Sequence, residues 1–138
     1  ALALRAAVAA SGAFGYELDP AKLSAEEKQE VVAQIQDYKR NWQLYAYGTL
    51  YRLESMRGQA WLRVAADKKR AILTYVQEGA DANAPAQYLK LQGLDPMQTY
   101  HVLPSGQMLS GAALLHGGLQ LPELRGNYPL VQRILEAT

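Results

Sequence analysis

Gly12-Ala13-Phe14-Gly15-Tyr16-Glu17-Leu18-Asp19 divides this chain into parts with different chemistry. Ahead of it runs an Ala-rich apolar segment, Ala1 to Ala10. Behind it begins the strongest helical signal of the sequence, and after that helix every segment has the period of a strand. Gly12 and Gly15 break the apolar run. Phe14, Tyr16 and Leu18 alternate with smaller or polar neighbours, as in a loop pinned by apolar anchors, and Pro20 closes it. An apolar element, a glycine turn, a long helix and an all-β remainder read as the end of one domain joined to the whole of another.

Residues 1–10 are too short for periodicity to separate a buried strand from a small-residue helix. A secretory leader is a poor reading, because no basic stretch leads in and Arg5 interrupts the apolar run. The helix start is marked far better. Ser24-Ala25-Glu26-Glu27 is a capping box, in which the Ser24 hydroxyl accepts from the Glu27 N–H and the Glu27 carboxylate reaches back to the Ser24 N–H. Glu26 and Glu27 also put negative charge at the positive end of the helix dipole. From there Val31, Ile35, Tyr38, Trp42 and Tyr45 recur at spacings of three and four, an apolar stripe ending before Gly48. Burying such side chains is worth roughly 1.5–3 kcal/mol each, so the helix must pack on something substantial.

Strands are expected at Thr49 to Glu54, Trp61 to Ala66, Arg70 to Gln77, Tyr88 to Leu91, Thr99 to Leu103, Gln107 to Leu109, Leu119 to Leu121 and Leu130 to Leu135. Asp67-Lys68-Lys69, Gly93-Leu94-Asp95-Pro96 and Pro104-Ser105-Gly106 are the turns between them, and Ser110 can cap one helical turn through Leu115. Short strands punctuated by turns predict an antiparallel β-sandwich, and the whole an α+β fold of one long amphipathic helix followed by that sandwich.

Composition narrows the function. A 49% apolar content supports a real core, and a net charge of +1 with both signs scattered gives no footprint for nucleic acid or an anionic membrane. Cysteine is absent, which removes disulfides, thiolate metal sites and a cysteine nucleophile. His101 and His116 stand alone in sequence and read as structural. Glu26, Glu27 and Glu30 read as a capping face, and Glu17 with Asp19 as loop carboxylates. No GxGxxG or GxxxxGK[ST] pattern occurs. Trp61, Tyr51, Tyr75 and Tyr47 are either inter-sheet core or a platform on which a sugar ring stacks. The residues alone give a soluble α-plus-β piece with no visible active site.

The Gly12 to Asp19 run, with Lys22-Leu23-Ser24 and an acidic helix start, resembles the end of the catalytic barrel in bacterial α-galactosidases of glycoside hydrolase family 36. Leu89-Lys90-Leu91-Gln92-Gly93-Leu94-Asp95-Pro96, with Tyr100 after it, resembles the β domain that closes those enzymes. So does Leu109-Ser110-Gly111, followed by Leu114 and Gly118-Leu119. The resemblance implies a C-terminal fragment of such an enzyme. Residues 1–48 would be the remnant of the barrel, with 1–10 its last strand and 24–45 its last helix, and residues 49–138 the closing β-sandwich domain. A (β/α)₈ barrel takes about 250 residues.

The family retains anomeric configuration, using one aspartate as nucleophile and another as acid/base, with carboxyls about 5–5.5 Å apart. Those aspartates belong to middle barrel strands, so no catalytic residue is expected here and the fragment alone should be inactive. Ser11 and Gly12 are expected to approach the substrate pocket rim. No cofactor or metal is implied. The implied partners are the rest of the barrel, an α-galactoside such as melibiose or raffinose, and further copies of the intact enzyme in a homo-oligomer in the bacterial cytoplasm, with no nucleic acid or membrane. Without barrel neighbours, residues 1–15 are expected to be disordered, helical or docked on another molecule. A free-standing carbohydrate-binding module and a purely structural or interaction domain are the alternatives.

Overall fold

The structure, a computed structural model, describes residues 2–10, 12, 15, 19–79, 84–126 and 128–138. Two helices come first, α1 (Leu2–Ala10) and α2 (Ala25–Tyr47), with a 3₁₀ turn at Pro20–Lys22 between them. Eight strands follow: β1 (Thr49–Leu53), β2 (Gly58–Val64), β3 (Arg70–Gln77), β4 (Tyr88–Leu89), β5 (Thr99–Leu103), β6 (Gln107–Ser110), β7 (Leu119–Gln120) and β8 (Leu130–Ala137). A third helix, α3 (Gly111–His116), lies between β6 and β7. Helix plus antiparallel sheet is therefore the architecture.

One expectation is corrected. By resemblance residues 1–10 were expected as the last barrel strand, but Leu2–Ala10 is α-helical, which is one of the outcomes expected for residues 1–15 without barrel neighbours. Ala, Leu and Arg are the strongest helix formers, and among the described residues no strand pairs with the segment to satisfy its backbone. Among the described residues α2 has 23 residues, against 9 in α1 and 6 in α3. The long one starts as foreseen: the Glu27 N–H donates to Ser24 Oγ at 3.1 Å and the Ser24 N–H to Glu27 Oε2 at 2.9 Å.

Six strands form one antiparallel sheet in the order β1-β2-β3-β8-β5-β6, and β4 and β7 form a separate two-stranded ribbon. The sandwich is thus lopsided. On its inner face Ala60, Leu62, Tyr75, Tyr100, Val102 and Leu135 meet Leu89, Leu91, Leu94, Leu114 and Leu119, all of them buried. α3 and the ribbon supply the second layer because one helical turn and two paired residues suffice to cap this core. Ser110 Oγ accepts from the Ala113 N–H at 3.1 Å, so the expected cap does start α3.

Turn chemistry fixes the register. Ala65 N–H donates to Arg70 O, Lys68 N–H to Ala65 O, and Lys69 N–H to the Asp67 side chain, closing the β2–β3 hairpin at the polar tripeptide. Gly93 adopts φ +75°, and a Cβ there would strike the Tyr51 ring, so the ring packs against a position only glycine can hold. Tyr100 ties the two ends of the core together. Its hydroxyl donates to Lys68 O at 2.6 Å and accepts from the Asp95 N–H at 3.0 Å. Burial pushes this hydroxyl's pKa up, partly offset by the bond from Asp95.

Candidate functional site between helices and sheet

β3 is buried along nearly its whole length, which requires cover on both faces. The outer face carries Ile72, Thr74 and Val76, and α1 and α2 lie across the Ile72 end. Ala10, Leu44, Tyr45 and Ile72 form a second apolar cluster there, with Tyr38, Ala65 and Ile134 packed against it. The Tyr38 and Tyr45 rings stack with centroids 5.6 Å apart and planes 12° apart.

Polar contacts lock the seam. The buried Asn41 side chain accepts from Arg70 Nη2 at 2.7 Å and donates to Asp37 O at 3.0 Å and Asp37 Oδ1 at 3.2 Å. Arg70 also approaches Glu136 at 3.7 Å, and Arg63 Nη1 donates to Gly48 O at 3.1 Å. The guanidinium of Arg70 thereby bridges helix and sheet while an amide hydrogen-bonded through both its oxygen and its nitrogen occupies the buried position.

The stripe read from sequence is rotated. Trp42 is 44% exposed, whereas Asn41 and Leu44 are buried. The residues of α2 buried on the sheet, Asn41, Leu44 and Tyr45, lie in its C-terminal half, while Val31 and Ile35 nearer its start are half-buried. Val32, Trp42 and Tyr47 are exposed, with Tyr47 set edge-on to Trp42 at 5.9 Å. A groove of about 410 Å³ runs between α1, α2 and β8, with the Ala3 and Ala6 side of α1 facing Glu30, Asp37, Tyr38 and Gln132.

Burial holds the Tyr45 hydroxyl pKa up to about 12, reinforced by the nearby Asp37 carboxylate and partly opposed by a bond with Gln132. The sign of the linkage follows. Below the ordinary tyrosine value of 10.0 both folded and unfolded chains keep the proton. Between there and about 12 only the unfolded chain ionises, so stability falls with rising pH. Tyr45→Phe keeps the ring and lacks this dependence. The stability gap between wild type and Tyr45→Phe should therefore narrow as urea midpoints are taken from pH 9 to pH 11, and a gap independent of pH would refute the assignment.

Of the residues singled out from sequence, Ser11, Phe14 and Glu17 lie outside the described residues. Gly12 is exposed in a bend after α1, its N–H donating to Ala9 O at 3.0 Å, and a Cβ there would meet nothing within 4 Å. Asp19 accepts from the Ala21 N–H and caps the 3₁₀ turn, and Glu30 accepts from Gln34, so both serve local structure. The aromatic platform dissolves: Tyr75 is wholly buried, Tyr51 packs on the core, Trp61 is half-buried on the outer face, and Tyr47 stands 77% exposed. His101 has a neighbour that sequence order hides, since the β5–β8 register sets it opposite Glu136. Among the described residues no three His, Cys, Asp or Glu side chains gather at metal-binding range, and no helix is long and apolar enough to cross a membrane.

Comparison with known proteins agrees with the resemblance. The glycosyl hydrolase family 36 C-terminal domain matches residues 59–131, and the melibiase family matches residues 1–48. α-Galactosidase AgaA of Geobacillus stearothermophilus is 44% identical over 124 residues, 88% of this chain and 17% of that protein. The bifunctional α-galactosidase/sucrose kinase AgaSK of Mediterraneibacter gnavus is 40% identical over 131 residues, 93% of this chain and 14% of that protein. The crystal structure of AgaA superposes with a TM-score of 0.94 at 39% identity, covering all of this chain and 20% of that one. The chain thus spans about a fifth or less of the length of these relatives, and it belongs to glycosyl hydrolase family 36, matching that family's C-terminal domain.

Proposed function

We propose that this chain is the C-terminal accessory part of an α-galactosidase that removes terminal α-linked galactose from oligosaccharides. Residues 1–48 continue the catalytic domain, and residues 49–138 are the β domain that braces it. The observation that carries this reading is the agreement over the full chain, helices included, with the AgaA structure. The seam supports it, because Asn41, Leu44 and Tyr45 fasten α2 to the sheet and leave Val32, Trp42 and Tyr47 facing outward. Exposed apolar surface of that kind marks a contact with another part of a protein.

In this reading α1 and α2 stand in the barrel's outer ring, and the sheet holds them from outside. Bond cleavage, with retention of configuration through two aspartates, belongs to the remainder of the polypeptide, which would assemble as a homo-oligomer in the bacterial cytoplasm. No residue here is given a covalent or proton-transfer role. The rim place expected for Ser11 and Gly12 needs residues 1–10 to be a strand; after an outer-ring helix the two residues fall on the face opposite the strand ends that carry a barrel's pocket. The buried Tyr75 and core-packed Tyr51 speak against a free-standing sugar-binding platform.

The test is made in the longer natural polypeptide, assayed on 4-nitrophenyl α-galactoside and raffinose. It should hydrolyse both, and a polypeptide without that activity would end the reading. Gly12→Val in the same polypeptide should leave kcat/KM within about twofold, because the added side chain meets open space within this chain and lies away from the pocket face. A loss of about tenfold with unchanged melting temperature would instead put Gly12 at the rim.

A further inference from the structure

A second groove, independent of the seam and of the proposed reaction, lies at one end of the β core. Arg57 in the β1–β2 turn, Gln77 at the end of β3, Gln87 before β4 and Gln120 in β7 line it, and Leu121 and Pro122 form part of its apolar wall. Its volume is about 730 Å³, within the range of small-molecule sites, roughly 300–1,000 Å³. We propose that this groove binds the oxyanion group, carboxylate or phosphate, of a small polar molecule, with Arg57 as its counter-charge.

The charges of the groove point to that class. Arg125 and Glu123 also line it, but they neutralise each other at 2.9 Å and are almost fully exposed. Arg57 is half-buried, and among the described residues its guanidinium has no hydrogen bond and no ion pair. Its backbone is held, since Arg57 O accepts from the Glu78 N–H at 2.7 Å. A half-buried guanidinium with no carboxylate partner among the described residues presents a planar fork that matches an oxyanion.

The amides beside it are fixed in advance. Gln87 Oε1 accepts from the Tyr75 hydroxyl at 3.1 Å, and Gln87 Nε2 donates to Ser55 Oγ at 2.9 Å. Tyr75 is wholly buried, so this carboxamide is anchored from the core. A primary amide has two N–H groups and two lone pairs, which leaves Gln87 one donor and one acceptor. Gln77 Nε2 donates to Gly79 O at 3.2 Å, and the Leu121 N–H donates to Gln87 O at 2.9 Å, holding the rim. Preset donors reduce the ordering cost of binding. No aromatic side chain lines the groove among the described residues, so it lacks the stacking face that neutral sugars favour.

The experiment is a ¹H–¹⁵N NMR titration of the 138-residue chain with sodium phosphate and, separately, sodium acetate, at ionic strength held constant with chloride, and with galactose as neutral probe. Saturable shifts of the Gln77 and Gln87 side-chain amides with phosphate or acetate are expected, the tighter of the two naming the anionic group. Arg57→Gln should weaken the response at least tenfold while leaving the circular dichroism melt unchanged. Non-saturating shifts, equal shifts in Arg57→Gln, or a response to galactose alone would each overturn the proposal.

Discussion

The Gly111→Ala chain is expected to lose more than about 3 kcal/mol of stability, enough to leave it largely unfolded, because a Cβ at this position lands on backbone that has nowhere to go. The added carbon would collide with the carbonyl of Asp95 and come within 3.1 Å of Pro96 Cα. That backbone is tied on every side. The Asp95 N–H is bonded to the Tyr100 hydroxyl, which is bonded to Lys68 O, and the Gln98 N–H is bonded to Asp95 O. Gly111 N–H donates to Gln98 O at 2.7 Å and Ala112 N–H to Pro96 O at 3.2 Å, so α3 cannot back away without breaking its own start. Overpacking of this kind, against main chain instead of a flexible side-chain tip, exceeds the usual 1–3 kcal/mol of an enlarged core residue. Gly12→Ala is the matched control: it meets open space and should change stability by less than about 0.5 kcal/mol. Urea denaturation followed by circular dichroism separates the two. A Gly111→Ala midpoint equal to the wild type's would mean that the turn at 95–98 does not bear on α3.

Local chemistry in the sequence was a good guide wherever one short segment decides the outcome. Ser24 with Glu27, Ser110, and Asp67-Lys68-Lys69 each carry their partner within a few residues, and each forms the cap or turn it encodes. Thr99–Leu103 is a strand with the bounds its alternation gives. What was illegible depends on distance along the chain. Asn41 and Arg70 are 29 apart, and nothing near either residue shows that they meet. His101 lies beside Glu136 only because β8 inserts between β3 and β5.

Trp42 misled because spacing shows which residues share a side of a helix but not which edge of that side a neighbour covers. Asn41, Leu44 and Tyr45 form the covered edge, and Trp42, on the flank away from Leu44, stays exposed. Residues 1–10 misled for a different reason: a buried strand and an alanine-rich helix share a composition, and only the neighbouring element decides between them. The resemblance identified the family from residues whose chemistry is mostly conformational. Gly93 against Tyr51 and Gly111 against Asp95 are examples of why such residues carry a family signature without touching a substrate.

Tyr45→Ala should have an effect of similar size but a different shape. The ring is 8% exposed, stacks on Tyr38, and packs with Leu44, Ala10 and Ile72, so its loss removes the centre of the seam. Truncating a buried aromatic costs about 3–5 kcal/mol. The inner core, from Leu62 and Leu73 to Leu114 and Leu135, shares none of these contacts and remains closed by its own ribbon and α3. The energy is therefore lost locally, and α1 and α2 should leave the sheet at a denaturant concentration where the strands still hold. Hydrogen exchange reads this directly. Amides of α2 should lose protection by two or more orders of magnitude, about 3 kcal/mol at 1.4 kcal/mol per decade, while those of β3 change far less. Uniform loss across α2 and β3 would instead make helix and sheet one cooperative unit, with the seam as essential to the β core as the core is to itself. Retained protection in α2 would mean that Arg70 and Asn41, not the tyrosine, fasten the helix.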